Sequence, residues 1–231
     1  MTKVLQPLVV FDLDGTLVDS APDLVDSLNV ILAREGHAPL PIEEGRKMVG
    51  AGGRALIRRG IEASGASVSD ARLEELFAAY LSAYEQHITD KTVFYPGAED
   101  ALDRLATVGW SFAILTNKYE HPAVKLVKAL GAFPRFKTIC GQNTFPISKP
   151  NGAALHLTIE KAGGDPTRSI MVGDTITDVT TAKNAGRPVI AVDFGYADRP
   201  VADMAPDKII SHFDELFDAV ASLKDGFFAG V

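Results

Sequence analysis

The chain has little of what secreted and membrane-embedded proteins rely on. One of its 231 residues is cysteine, so no intrachain disulfide can form and a disulfide-stapled scaffold is excluded. No apolar run approaches the roughly 20 residues that a bilayer-spanning helix needs. The first residues show no charged segment leading into a long apolar stretch and a cleavage site, so a cytoplasmic location is expected. Basic residues are outnumbered, with 23 Lys and Arg against 30 Asp and Glu, a net charge of −7. That balance argues against nucleic-acid or anionic-membrane partners, and an anionic small molecule would have to meet a local cluster of cations. The five histidines, His37, His87, His121, His156 and His212, show no metal-ligand spacing and are given no catalytic role. Cys140 lies in an apolar, strand-like segment and reads as a small buried hydrophobe rather than a nucleophile.

What is present is ordinary for a soluble protein with a sizeable core, 46% hydrophobic and 23% charged residues,. A short apolar run, Leu8 to Phe11, ends in Asp12-Leu13-Asp14-Gly15-Thr16 and reads as a buried parallel strand closed by a turn,. Ser20 with Pro22 offers an N-cap and a first-turn proline, and Leu24, Leu28, Ile31 and Leu32 follow at helical spacing until Gly36,. Ser69 to Ile88 carries Leu73, Leu76, Phe77, Tyr80, Leu81 and Tyr84 on one helical face,, and the Phe77, Tyr80 and Tyr84 stripe reads as core packing. From Pro96 on, helices alternate with β-rich runs at Trp110 to Leu115, Lys137 to Cys140, Ser169 to Val172, Pro188 to Val192 and Lys208 to Ile210. That alternation predicts an α/β fold, a doubly wound parallel sheet. The expected organisation is an α/β core of residues 1–19 and 93–231 with an all-helical domain, residues 20–92, inserted after the first strand. No internal repeat or low-complexity segment interrupts it.

Asp12 and Asp14 lie at a strand's C-terminal end, where open α/β sheets bind ligands, and two neighbouring carboxylates call for a cation or a proton. A hard ion, Mg2+, is the natural expectation. Thr116-Asn117-Lys118, Ser148-Lys149-Pro150 and Gly173-Asp174-Thr175-Ile176-Thr177-Asp178 follow other predicted strands, and in a parallel sheet these ends share one edge. Acids, a hydroxyl and an ammonium so gathered supply what phosphoryl transfer needs. No serine or cysteine with an attendant histidine is evident, so the nucleophile would be a carboxylate.

In those motifs the chain closely resembles the haloacid dehalogenase superfamily, over nearly its whole length and including a helical cap inserted after the first motif. Phe11 to Leu24, Leu115 to Lys118 and Asn184 to Tyr196 look most like phosphoglycolate phosphatases within it. The resemblance implies an aspartyl-phosphate mechanism, with Asp12 attacking phosphorus and Asp14 serving as acid and then base. It implies Mg2+ held by Asp12, the Asp14 backbone carbonyl and Asp174, with Asp178 supporting the metal or Lys149 from behind. Thr116 and Asn117 would bind phosphate oxygens, Thr16 would also bind substrate, and Lys149 would neutralise charge beside Asp12. Two departures are visible: Lys149-Pro150-Asn151-Gly152 lacks the second proline of the usual K-P-x-P, and Thr175 stands where serine is commoner. The Gly50-Ala51-Gly52-Gly53-Arg54 turn is the segment expected to reach the site, with Arg54 available to a substrate carboxylate; Arg58 and Arg59 read as solvent-facing. The expected reaction is Mg2+-dependent hydrolysis of a small phosphomonoester, 2-phosphoglycolate, by a monomer or homodimer. A phosphomutase using the same intermediate, and a non-catalytic phosphate-binding module, remain alternatives.

Overall fold

The computed structural model describes residues 5–227; the outermost residues of the expected core, 1–4 and 228–231, lie outside them. The chain runs β1 (Gln6–Phe11), β2 (Val18–Asp19), α1 (Ala21–Arg34), α2 (Ile42–Arg46), α3 (Gly53–Ala63), α4 (Asp70–Gln86) and β3 (Val93–Phe94). It continues α5 (Ala98–Thr107), β4 (Ser111–Leu115), α6 (Glu120–Ala129), β5 (Phe136–Cys140), α7 (Gly152–Ala162), β6 (Gly164–Gly173), α8 (Ile176–Asn184), β7 (Val189–Val192), β8 (Lys208–Ile210) and α9 (Leu216–Phe227).

The six long strands pair in the order β5-β4-β1-β6-β7-β8, every pair parallel. Because successive side chains on a strand point to opposite faces, β1 feeds two cores. Val9 and Phe11 join Phe112, Ile114 and Val172 in one layer, and Leu8 and Val10 join Ala113, Met171 and Ala191 in the other. A strand covered on both faces has no polar side to alternate with, hence its continuous apolar run. The strand order reverses at β1, between β4 and β6, and that is where such sheets open a crevice at their C-terminal ends.

Between β2 and β3 the chain is helical, as expected, and its apolar face is continuous with the first layer through Leu24, Leu28, Leu56, Ile57 and Leu73. Helix α4 starts where Ser69 accepts a hydrogen bond from the Arg72 N–H, an N-cap of the usual kind. Ser20 takes the N-cap position of α1 with Pro22 in the first turn, as expected, but its hydroxyl makes no capping bond and is turned to Asp14, 2.5 Å away. The two connections to the helical segment pair as an antiparallel ribbon, Val18 with Phe94 and Asp19 with Val93. Buried Asp23 fastens the return strand by accepting from the Lys91 and Thr92 N–H groups and the Thr92 hydroxyl. Cys140 is free and buried. Among the described residues no helix is long and apolar enough to cross a membrane.

Candidate active site

Register explains how residues far apart in sequence meet. Phe11 is level with Ile114 on one side and Val172 on the other, so the residues just past β1, β4 and β6 emerge together at the switch point. Asp12 continues the ladder by donating its N–H to Val172 O at 2.9 Å, and Thr116 does likewise to Cys140 O at 2.9 Å. Asp174 follows β6, and Lys149 arrives from the loop between β5 and α7.

Lys149 Nζ lies 2.8 Å from Asp12 and 2.6 Å from Asp178, and all three residues are buried. Burial alone would depress the lysine, but Asp12 and Asp178 more than offset it and hold the ammonium above its ordinary range,. Asp12, Asp174 and Asp178 each offer a carboxylate oxygen within 4.8 Å of the others. Burial pushes Asp12 from 3.8 up to about 6 against the lowering effect of Lys149, with Asp178 and Asp14 adding repulsion. Burial, and then Asp178 and Asp12, also raise Asp174 well above the usual carboxylate range. Three buried carboxylates with one ammonium among them are short of positive charge, and a divalent cation on an all-oxygen donor set would relieve that.

The surrounding contacts fix these groups. Thr16, expected to bind substrate, is instead fully buried, does not line the cavity and spends its hydroxyl on Asp174 at 2.8 Å. Tyr196 donates its backbone N–H to the other Asp174 oxygen at 2.7 Å. Asp178 also closes the first turn of α8, accepting from the Thr175 N–H and hydroxyl, so it serves as helix cap and lysine anchor together. Gly15 has φ +84°, and a Cβ there would collide with the Asp174 carboxylate, so the turn after β1 needs glycine.

Asp14 stands apart from the three-carboxylate cluster. Its carboxylate is turned to Ser20 and to Lys118, whose Nζ is 2.8 and 2.9 Å from the two oxygens. Asp12, Asp14, Thr116, Asn117 and Lys118 line one cavity, closed from the helical segment by Gly50, Gly52, Gly53, Leu56, Phe77, Tyr80 and Tyr84. The glycine turn thus reaches the site. The Asn117 side-chain oxygen is buried there without a partner, while its amide donates to Lys149 O.

One further expectation is corrected. Arg54 does not turn to the cavity: its guanidinium pairs with Glu74 at 2.6 and 2.5 Å, donates to the Tyr119 hydroxyl, and stacks 3.9 Å from the Phe77 ring centroid. Phe77, Tyr80 and Tyr84 pack into the core as expected, and they also form part of the cavity wall. Lys118 was passed over for a role, although it follows Thr116 and Asn117 at the same strand end. Tyr196 ends one of the segments that carry the resemblance, Asn184 to Tyr196, but nothing in that segment assigned the tyrosine a role.

A family model for haloacid dehalogenase-like hydrolases matches residues 9–192. The chain belongs to that family. It is 46% identical over 211 residues to a phosphoglycolate phosphatase of Mesorhizobium japonicum, covering 91% of this chain and 93% of that one. It is 41% identical to a phosphoglycolate phosphatase of Agrobacterium fabrum, covering 95% and 94%. Among solved structures it resembles a Haemophilus somnus protein described as a predicted phosphoglycolate phosphatase, with TM-score 0.86, 26% identity, and 93% and 97% of the two chains covered.

Proposed function

We propose that this member of the haloacid dehalogenase-like hydrolases is a Mg2+-dependent phosphatase that hydrolyses 2-phosphoglycolate through an aspartyl-phosphate. The observation that carries the reading is Asp12: a carboxylate opening on the cavity, held by Lys149 and adjoining Asp174 and Asp178. The identities to curated phosphoglycolate phosphatases support the substrate.

In this reading Asp12 forms a bond to phosphorus as the ester oxygen departs, and Asp14 gives that oxygen its proton. Asp14 then takes a proton from the water that hydrolyses the acyl phosphate. Lys149 offsets charge beside the nucleophile, and Thr116 and Asn117 donate hydrogen bonds to the phosphoryl oxygens. Asp178 positions Lys149, and Thr16 orients Asp174. Asp12, Asp174 and the Asp14 carbonyl would hold Mg2+, which supplies Lewis-acid neutralisation of phosphoryl charge when bound. The core is residues 1–19 and 93–231. Residues 20–92 act as a cap that shields the acyl phosphate and swings on the β2–β3 ribbon.

The test is inorganic phosphate release from a panel holding 2-phosphoglycolate, sugar phosphates, nucleotides and pyrophosphate, with Mg2+ or with chelator. The expected result is metal-dependent release with 2-phosphoglycolate ranked first. Metal-independent release, or a sugar phosphate ranked first, overturns the reading.

A further inference from the structure

The cavity carries polar groups that the phosphoryl chemistry above leaves unused. Lys118, Tyr80 and Tyr84 all line it, and all three are buried. An ammonium has three hydrogens to donate. Two from Lys118 go to the two oxygens of Asp14, and the ammonium lies over the Tyr84 ring, 4.6 Å from its centroid. Tyr80 and Tyr84 stack in parallel with centroids 6.3 Å apart, and each phenol oxygen is buried with no hydrogen-bond partner. Burial raises both phenols far above their ordinary range, so they are neutral O–H donors. Buried polar groups in folded proteins nearly always find partners. Two orphaned donors beside a cation with one hydrogen to spare call for an acceptor that arrives with the ligand.

The rest of the wall limits what that acceptor is. Lys118 is the only cation lining the cavity among the described residues, and Leu24, Val49, Leu56 and Leu81 offer nothing to a second charge or to sugar hydroxyls. The cavity is small, about 50 Å3, where one water takes roughly 10–15 Å3 by the same measure. Distance sets the last constraint. Asp14 must reach the departing ester oxygen, and Lys118 touches Asp14. An anionic group on Lys118 therefore sits close to that oxygen, as a carboxylate does when one carbon separates the two.

We infer that Lys118, Tyr80 and Tyr84 form a carboxylate subsite that selects small α-phosphorylated carboxylic acids. This rests on the phosphatase reading and deepens it, since it names the residues that distinguish 2-phosphoglycolate from a phosphomonoester of similar size that lacks the carboxylate.

The experiment compares kcat/KM for 2-phosphoglycolate and for ethyl phosphate, in which a methyl replaces the carboxylate, in the Mg2+-loaded enzyme. The quantity read is the ratio of the two, which cancels any loss shared by both substrates. Lys118→Met is expected to lower that ratio about 10- to 100-fold, and Tyr80→Phe and Tyr84→Phe about 3- to 10-fold each. The three-carbon acid phosphorylated at its β-carbon should react like ethyl phosphate in the wild-type enzyme. A ratio unchanged in all three variants overturns the subsite. So does a parallel fall on both substrates, which would mean that Lys118 acts through Asp14 alone. The isosteric tyrosine variants decide the matter if Lys118→Met does not fold. A wild-type ratio near one sinks the 2-phosphoglycolate reading and the subsite with it, whereas a high wild-type ratio kept by the variants sinks the subsite alone.

Discussion

Lys149 Nζ sits 2.8 Å from Asp12, and the side chains are 1% and 7% exposed. With Asp178 at 2.6 Å on its other side, the lysine holds two buried carboxylates apart from bulk water. Removing one member of such a set leaves an uncompensated charge, which costs about 3–5 kcal/mol. Lys149→Met is therefore expected to lower the metal-free unfolding free energy by about 3 kcal/mol and to cut turnover by at least ~100-fold. Urea titration and phosphate release measure the two effects. Adding Asp178→Asn should restore part of the stability and none of the rate. Full stability in the single variant would show that the buried pair is not needed for folding.

Asp12→Asn removes the nucleophile while nearly preserving its shape. Turnover is expected to vanish, and binding of the divalent cation should weaken because one anionic ligand is lost. Single-turnover assays and Mg2+ titration followed by thermal shift check these outcomes. An unchanged rate would remove Asp12 from the chemistry.

Metal binding should depend on pH through the same carboxylates. Asp12 is pushed up to about 6 and Asp174 is raised well above the usual carboxylate range, in both cases chiefly by burial. A carboxyl whose folded pKa lies above its unfolded value favours the folded state when protonated, and this contribution is lost as pH rises from about 4 through the folded value. The metal-free protein should accordingly lose stability between about pH 4 and pH 6 and beyond. A divalent cation favours the ionised carboxylates and opposes that loss. The Tm increment from Mg2+ is expected to be small at pH 4.5 and to grow steadily above pH 6. A flat increment across that range would contradict the assignment of these carboxylates to the cation.

The gathering of Asp12, Lys149, Asp174 and Asp178 was legible because each follows a strand and a parallel sheet brings its strand ends to one edge. Strand β1 was legible for the opposite reason to most surface strands, since burial on both faces leaves Leu8 to Phe11 without a polar break. The β2–β3 ribbon was not, because two-residue strands carry no periodicity. The position of Ser20 at the start of α1 was legible, but its hydroxyl goes to Asp14 rather than to the helix N–H groups, a partner that the local sequence does not reveal. Helical spacing identified the Phe77, Tyr80 and Tyr84 face, but spacing does not say whether that face meets another helix or a cavity. Arg54 finds Glu74 one helix later, a pairing that no local pattern encodes.

Arg54 tests that last correction directly. Its charge is spent on Glu74, whose carboxylate is half exposed, and exposed pairs contribute about 0–1 kcal/mol. Arg54→Ala should leave KM for 2-phosphoglycolate within about twofold of wild type, while Arg54→Lys should behave likewise. A rise in KM of tenfold or more in steady-state assays would return Arg54 to the substrate.

Tyr196 links the two halves of the molecule. Its hydroxyl accepts from the Ser20 and Ala21 N–H groups at 2.7 and 2.9 Å and donates to Asp19 at 2.8 Å. Asp19 is held in turn by the guanidinium of Arg46 on α2, which lies 5.3 Å from the centre of the Tyr196 ring. The backbone of the same tyrosine holds Asp174. Tyr196→Phe keeps the ring and that backbone bond but strands two buried N–H groups at the start of α1. The expected cost is about 1–3 kcal/mol in urea unfolding, with Mg2+ affinity little changed because the Asp174 contact survives. Arg46→Met removes the charge that holds Asp19 and leaves the phenol in place. Its stability loss should be smaller, about 1 kcal/mol, because the pair is still partly open to solvent, with side chains 24% and 27% exposed,. The double variant should cost less than the sum, since both single changes act on Asp19. Strict additivity would show that the ribbon end and α2 are held independently, and that the chain of contacts from Asp174 to Arg46 does not act as one unit.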